Sequence, residues 1–326
     1  MKPYDKTFAP KAFGQHNTGV ICYFNSFMQT LAACTSFTQE VLQNIKYLQC
    51  TATGTAVVKF VMAYSTETAA RETLSNNIEF LSASVLHALV SDLAIRRPHV
   101  QFGGGQESAS EALVHLLDMM ELPSVPSPIT NLFLHRFRCN IHCCHCKNIV
   151  SKTTDYAVNF ELFHIDKDNK PMSIDTFSKA IQTQVSITED YKCPECLCCG
   201  IKPVNDKCLI CKKPSKTTSA YRTYNLTMVP EIVFCMFNLY VGFGGSRHVR
   251  YFPETLEFPS HDGSALIYNI VSQIEHAGSL SGGHYWTRSL RANNEVFTLN
   301  DNGVSLTAFT PTANTYIVVY HYFGKK

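Results

Sequence analysis

The 326-residue chain is 45% hydrophobic and 17% charged, enough apolar content to bury one large core or two small ones. A formal charge of +2 with no acidic or basic run leaves no footprint for a phosphate backbone, so nucleic acid is not expected as a partner. Residues 1–15 lack the apolar centre of a signal peptide, and the most apolar run, 226–243, is interrupted by Pro230, Glu231 and Asn238. The expectation is a soluble protein of the cytoplasm or nucleus, a reducing compartment, with no membrane partner.

In chain order, Phe24, Phe27, Met28 and Leu31 repeat at i, i+3, i+4 and i+7, which predicts a helix beginning at or near Cys22. Helical periodicity returns over 56–74 and 82–95. It returns again over 108–120, where Ala109, Ala112, Leu113, Leu116, Leu117 and Met120 make an apolar face that ends before Pro123. Beyond the proline-rich break at 121–128 the pattern turns to β-branched and alternating runs. Strands are predicted at 131–139, 153–162, 231–241, 265–274 and 315–323. Helices first and sheet later make an α+β chain.

Ten of the fourteen cysteines fall between Cys139 and Cys211. In a reducing compartment, C-x-x-C pairs hold metal more often than they form disulfides. Three such pairs occur, Cys143 with Cys146, Cys193 with Cys196, and Cys208 with Cys211; Cys139, Cys144, Cys198 and Cys199 lie close by. Two pairs supply the four thiolates of a closed tetrahedral zinc site, which leaves no open coordination position and is therefore structural. Spacing leaves the ligand sets open: the first pair with the second across a long gap, the second with the third as a local ribbon, or two ions shared among all three.

Chemistry is expected elsewhere. Cys22 stands alone at a predicted helix start, where the positive end of the helix dipole favours a thiolate. Far along the chain, His284 follows Gly282 and Gly283, and Asn300 and Asp301 follow the next apolar run. A nucleophilic thiol needs a base, a group to orient that base and a donor for the oxyanion. His284, Asn300 or Asp301, and Asn17 are residues of the right kind. With thirteen histidines in the chain, and lone buried cysteines common, spacing by itself does not decide the matter.

Residues 14–31, "GQHNTGVICYFNSFMQTL", resemble the Cys box of the ubiquitin-specific proteases, and 268–286, "YNIVSQIEHAGSLSGGHYW", resemble their His box. Similarity runs on through "QESASEALVHLLD", "YKCPEC", "VPEIVFCMFNL", "FPETLEF" and "TYIVVY", in the family's order. The resemblance implies one catalytic domain over 1–326 with a papain-like hand. Residues 1–125 would be a helical thumb, 126–225 zinc-bearing β fingers that grip ubiquitin, and 226–326 a β palm. It implies Cys22 as nucleophile, His284 as general base and acid, Asn300 as the residue that orients the histidine with Asp301 in reserve, and Asn17 at the oxyanion. The tail of the substrate would lie against Gln106, Ser108, Glu111, Gly282, Gly283 and Tyr285. The implied reaction is hydrolysis after the Gly-Gly terminus of ubiquitin, free or conjugated, or of another ubiquitin-like modifier; a ubiquitin-binding scaffold of weak activity is the remaining reading.

Three departures from the family pattern stand out. Val20 and Ile21 replace a polar pair ahead of the cysteine. Ser108 takes the place of an aspartate that binds the arginine-bearing tail, leaving Glu107 or Glu111 as charge partners. Residues 197–214, with the third cysteine pair, look like an addition at the finger tips.

Overall fold

The computed structural model describes residues 1–64, 78–105, 107–122, 127–163, 177, 179–181, 183–196, 202, 204, 205, 207, 217–238, 248–260, 262–279 and 282–326. Gln106, Cys198, Cys199, Cys208, Cys211, the end of the helix expected at 56–74 and the end of the strand expected at 231–241 lie outside the described residues.

Six α-helices are described: α1 (Cys22–Ala33), α2 (Thr35–Gln43), α3 (Ile45–Leu48), α4 (Ala52–Tyr64), α5 (Leu81–Arg96) and α6 (Ala109–Met120). Twelve strands are described: β1 (His135–Cys143), β2 (Ile149–Ala157), β3 (Phe160–Phe163), β4 (Thr183–Lys192), β5 (Thr217–Met228), β6 (Ile232–Asn238), β7 (Thr255–Pro259), β8 (Ala265–Ser279), β9 (Gly282–Leu290), β10 (Val296–Asn300), β11 (Gly303–Thr307) and β12 (Thr315–Lys325). Helix leads and sheet follows, as the α+β pattern requires.

Two expected strands differ. The run 131–139 becomes strand only at His135, because Thr130–Leu132 forms a 3₁₀ turn after Ser127, whose hydroxyl accepts from the Ile129 amide at 3.2 Å. Leu132 and Phe133 bury their side chains from that turn, so apolar content there reports burial and not extension. The run 153–162 is two strands, β2 and β3, which join different sheets.

The residues group into two compact units, Met1–Leu134 with Val158–Phe177 and Pro230–Lys326, and His135–Ala157 with Ser178–Val229. In the first, one sheet runs β11-β10-β9-β8-β12-β6-β3, with β7 on β8; among the described residues only β3 and β6 pair in parallel. Helix α1 is buried on all sides. A helix so enclosed must satisfy its polar side chains internally. Thr30 meets the hydroxyls of Ser272 and Thr287 at 2.9 and 3.3 Å, and the Gln29 amide donates to the Phe13 carbonyl at 2.6 Å and the Tyr64 hydroxyl at 3.0 Å. These bonds fix α1 against β8 and β9. Helix α5 buries Val85, Leu89 and Leu93, one turn apart, and α6 buries the apolar face read from its sequence. The second unit is a four-stranded antiparallel sheet in the order β2-β1-β5-β4.

Candidate active site

Cys22 is the first residue of α1 and is 2% exposed. Ile21, the residue before it, makes no capping side-chain bond, and the turn that leads into the helix is held from Asn17. The Asn17 side-chain oxygen accepts from the amides of Gly19 at 3.1 Å and Ile21 at 3.3 Å. Gly19 has φ +147, a conformation that a side chain would strain, which explains the glycine in this turn. No acidic residue of α1 itself occupies its first turn, where the positive end of the helix dipole favours a thiolate.

His284 lies on β9, and its Nε2 is 2.6 Å from the Asn300 Oδ1 at the end of β10. A side-chain carbonyl only accepts, so the contact places the imidazole proton on Nε2 and leaves the Nδ1 lone pair for another partner. The Trp286 ring stacks beside the imidazole with centroids 6.1 Å apart.

Asp301 is the first residue of the turn between β10 and β11 and has φ +48, which a short acidic residue tolerates. Its carboxylate does not reach His284 by any hydrogen bond described. One oxygen accepts from the Asn17 amide at 3.0 Å and the other from the Asn25 amide on α1 at 2.9 Å. The Gln15 amide adds a bond to the Asp301 carbonyl at 2.9 Å, and a Cβ on Gly14 would lie 2.6 Å from the Asn302 carbonyl. Thus the segment 14–17, the head of α1 and the β10–β11 turn are locked together. Asp301, Asn17 and Asn25 therefore gather at the helix start that carries Cys22, and the His284–Asn300 pair is held on the two strands that lead into Asp301.

Asn17 was expected to hold its amide ready as a donor. One N–H is committed to Asp301, and an amide nitrogen has a second to give. Asn25 was not anticipated. Its signal was present in the sequence, a polar side chain three residues into a helix whose other faces are apolar, but burial of the polar face shows only in the fold.

The substrate residues fare differently. Ser108 caps α6, accepting from the Ser110 amide at 3.2 Å; its hydroxyl lies 2.7 Å from both the Ser110 and Tyr316 hydroxyls. Glu111 sits in the first turn of α6, and Glu107 precedes the cap. Burial first, and the neighbouring Glu111 second, push the Glu107 carboxyl above its usual range. Tyr285 packs its ring against His276, centroids 4.3 Å apart. The glycines were read as a slot for a thin tail. Gly283 serves packing as well: a Cβ there would lie 2.3 Å from the His276 Nε2 and 2.5 Å from the Ala277 carbonyl, and one on Gly278 would lie 2.3 Å from the Gly283 Cα. Gly282 opens β9 beside it.

In the second unit, Cys143, Cys146, Cys193 and Cys196 bring their sulfurs within 4.8 Å of one another. Cys143 and Cys196 are 3.5 Å apart, Cys146 and Cys193 3.8 Å. Sulfurs at the corners of a tetrahedron about a zinc ion, with Zn–S of about 2.3 Å, stand roughly 3.8 Å apart, so the donor set fits. Of the arrangements open in the sequence, the described residues bring together the pairs across the long gap, while Cys208 and Cys211 lie outside them. Burial raises the Cys143 thiol, but the amides of Cys146 and His145 and the Cys196 thiol outweigh it and hold the group at about 7. Cys193 and Cys196 are raised by burial and by their neighbours. Four crowded thiols that cannot all ionise unaided are a site for a cation.

A family model described as ubiquitin carboxyl-terminal hydrolase matches residues 13–320. The chain belongs to that family. As a ubiquitin carboxyl-terminal hydrolase family member it is a cysteine-type ubiquitin hydrolase. No curated protein matches the sequence significantly. Among solved structures, a SAGA DUB module of Ubp8, Sgf11, Sus1 and Sgf73 bound to monoubiquitin matches with TM-score 0.68 at 18% identity, over 99% of this chain and 71% of that one. The same module bound to ubiquitin aldehyde gives 0.67 at 18%, over 99% and 71%, and a yeast SAGA DUB module gives 0.58 at 16%, over 99% and 70%. At these identities the likeness is one of fold, and it carries the ubiquitin-specific protease fold across the whole chain.

Proposed function

We propose that the protein hydrolyses amide and isopeptide bonds that follow the Gly-Gly terminus of ubiquitin, with Cys22, His284 and Asn300 as its triad. The observation that supports this most is the contact of His284 Nε2 with Asn300 Oδ1, because it orients the ring and leaves Nδ1 with its lone pair. His284 takes the Cys22 proton through Nδ1. The thiolate attacks the glycine carbonyl carbon, and the negative charge that forms on oxygen is met by the free N–H of Asn17 and by backbone amides at the start of α1. As the C–N bond breaks, the imidazolium returns its proton to the departing amine, leaving a thioester. Water, deprotonated by His284, then adds to the thioester; the C–S bond breaks and the carboxylate of the modifier leaves with Cys22 restored.

Asp301 acts one step removed, holding Asn17 and the helix head in place through its two carboxylate bonds. The second unit takes the part of the fingers and the first that of thumb and palm. Zinc on Cys143, Cys146, Cys193 and Cys196 would tie the ends of β1 and β4, supplying the cross-link that a thin sheet lacks. The protein would act in the cytoplasm or nucleus, a reducing compartment in which paired cysteines are kept available for metal. Turnover of a ubiquitin carboxyl-terminal amide reporter tests the assignment. It is expected to vanish in Cys22→Ala and His284→Ala; activity that survives both would overturn it.

A second reading, another ubiquitin-like modifier ending in Gly-Gly, is favoured by one observation. Ser108 presents no carboxylate, and its hydroxyl is engaged with Ser110 and Tyr316. Reporters built on several modifiers, compared side by side, decide between the two.

A further inference from the structure

Arg291 directly follows the last residue of β9 and is 1% exposed. Burial lowers its pKa only to about 10, so it is a cation at neutral pH. The ionisable side chains described around it are Tyr64, Tyr4 and Cys34, and no carboxylate is among them. A buried charge without a counter-charge is costly and has to be held by hydrogen bonds. Neutral acceptors hold this one. One guanidinium nitrogen donates to the Gln29 carbonyl at 3.0 Å and to Gln29 Oε1 at 2.6 Å; the other donates to Ser289 Oγ at 2.9 Å and to the Leu290 carbonyl at 3.1 Å. The fork therefore ties α1, which begins at Cys22, to the end of the strand that carries His284.

The bonds run on beyond Gln29. With its side-chain oxygen committed to the guanidinium, Gln29 presents its amide N–H to the Tyr64 hydroxyl at the end of α4, 3.0 Å away. The same hydroxyl accepts from Gln15 Nε2 at 2.7 Å. Gln15 is held from its other side as well. Its Nε2 donates to the Ile78 carbonyl at 2.9 Å, its Oε1 accepts from the Ser82 amide at 2.8 Å, and its backbone amide donates to the Asp301 carbonyl at 2.9 Å. Arg291, Gln29, Tyr64 and Gln15 are each no more than 2% exposed, so water does not compete for these bonds. The series ends two residues before Asn17.

We infer that Arg291 is a positioning residue for the reaction proposed above, acting through Gln29, Tyr64 and Gln15 to set where Asn17 presents its free N–H; this rests on the acyl-transfer reading. The planar fork is what the place requires. A lysine carries its donors on a single atom and does not span Gln29 and Ser289 together, so charge alone does not replace it. A misplacement of about 1 Å that originates far from the chemistry is enough to cost roughly 100-fold in rate.

The test is a set of variants read on a ubiquitin carboxyl-terminal amide reporter. Tyr64→Phe removes only the hydroxyl that joins Gln29 to Gln15 and keeps the ring that packs on Phe60 and Phe13. It is expected to lower kcat about tenfold with KM unchanged, and Arg291→Lys is expected to do the same. The two together should be no worse than either alone, because they interrupt one series. In the Asn17→Ala background, where the positioned donor is gone, Tyr64→Phe is expected to leave kcat where Asn17→Ala puts it. General loosening of the core would instead cost the same factor in both backgrounds. Full kcat in either single variant, or a Tyr64→Phe loss that is equal with and without Asn17, would overturn the inference. If a ubiquitin electrophile fails to label Cys22, or Asn17→Ala leaves kcat unchanged, the acyl-transfer reading itself fails and the inference falls with it. If both behave as that reading requires and the Tyr64→Phe loss is indifferent to Asn17, only the role of Arg291 fails.

Discussion

His284 and Asn300 are 16 residues apart in the chain and 2.6 Å apart in the fold, imidazole Nε2 to amide oxygen. That bond decides which nitrogen of the ring keeps its lone pair. Asn300→Ala frees the imidazole to rotate and to take the other tautomer, and is expected to lower kcat/KM about 100-fold, within the range of a general base's contribution. Asn300→Asp keeps an acceptor in place and retains most of the activity. Steady-state kinetics on a ubiquitin amide reporter check both, and equal losses in the two variants would contradict the orienting role.

Asp301 is bound to Asn17 and Asn25 and not to the histidine. Asp301→Ala is therefore expected to reduce kcat roughly 100-fold, the scale of a lost oxyanion donor, without moving the pH profile set by His284. Asn17→Ala should match it, and the double variant should be no worse than either single one, because the two residues act as a unit. A shifted pH profile in Asp301→Ala would instead assign that carboxylate to the imidazole.

The reading from sequence singled out the helix at Cys22, His284 and the Asn300–Asp301 pair, because each sits next to a local signal: a helix start at Cys22, a glycine pair at His284, the end of an apolar run at Asn300. The residues by themselves left Asn300 and Asp301 open, and the family resemblance ranked Asn300 first with Asp301 in reserve. The choice depends on a two-residue turn in which Asp301 adopts positive φ and faces the opposite way from its neighbour, a matter of tertiary contact. Asn25 and the buried hydroxyls of Thr30, Ser272 and Thr287 were illegible for a similar reason, since polar residues on a helix suggest a solvated face until the partner sheet is known. The cysteine pairs announced a metal, while which pairs share one ion required the register of β1 and β5, which places Cys143 opposite Ala220, and the adjoining β4.

Cys143→Ser is expected to remove one zinc ion per chain, read by mass spectrometry under native conditions, and to open the residues 135–157 and 178–229 to protease. Complete chelation should do the same. Protease resistance that persists after the four-cysteine site is emptied would contradict a structural metal there.

Acid stability follows from His321, which is fully buried. Its Nδ1–H donates to the Tyr322 carbonyl at 2.8 Å, and its Nε2 accepts from the Ser36 amide at 3.2 Å. Burial lowers its pKa to about 4, against the Tyr322 carbonyl, which raises it. A base whose folded pKa lies below its unfolded value takes up a proton on unfolding. Its contribution is whole above about pH 6.5 and is lost as pH falls toward 4, a cost of about 2 kcal/mol at pH 5. Denaturant midpoints of the unaltered protein should therefore fall more steeply between pH 6.5 and 4.5 than those of His321→Gln. Parallel slopes would contradict this.

The most direct measurement is the reaction of the folded, zinc-loaded protein with ubiquitin carrying an electrophile in place of its carboxyl-terminal glycine, followed by intact mass and peptide mapping. The predicted result is a one-to-one adduct on Cys22, formed far more slowly in His284→Ala. No adduct, or an adduct on any other cysteine that forms equally fast in His284→Ala, would contradict it.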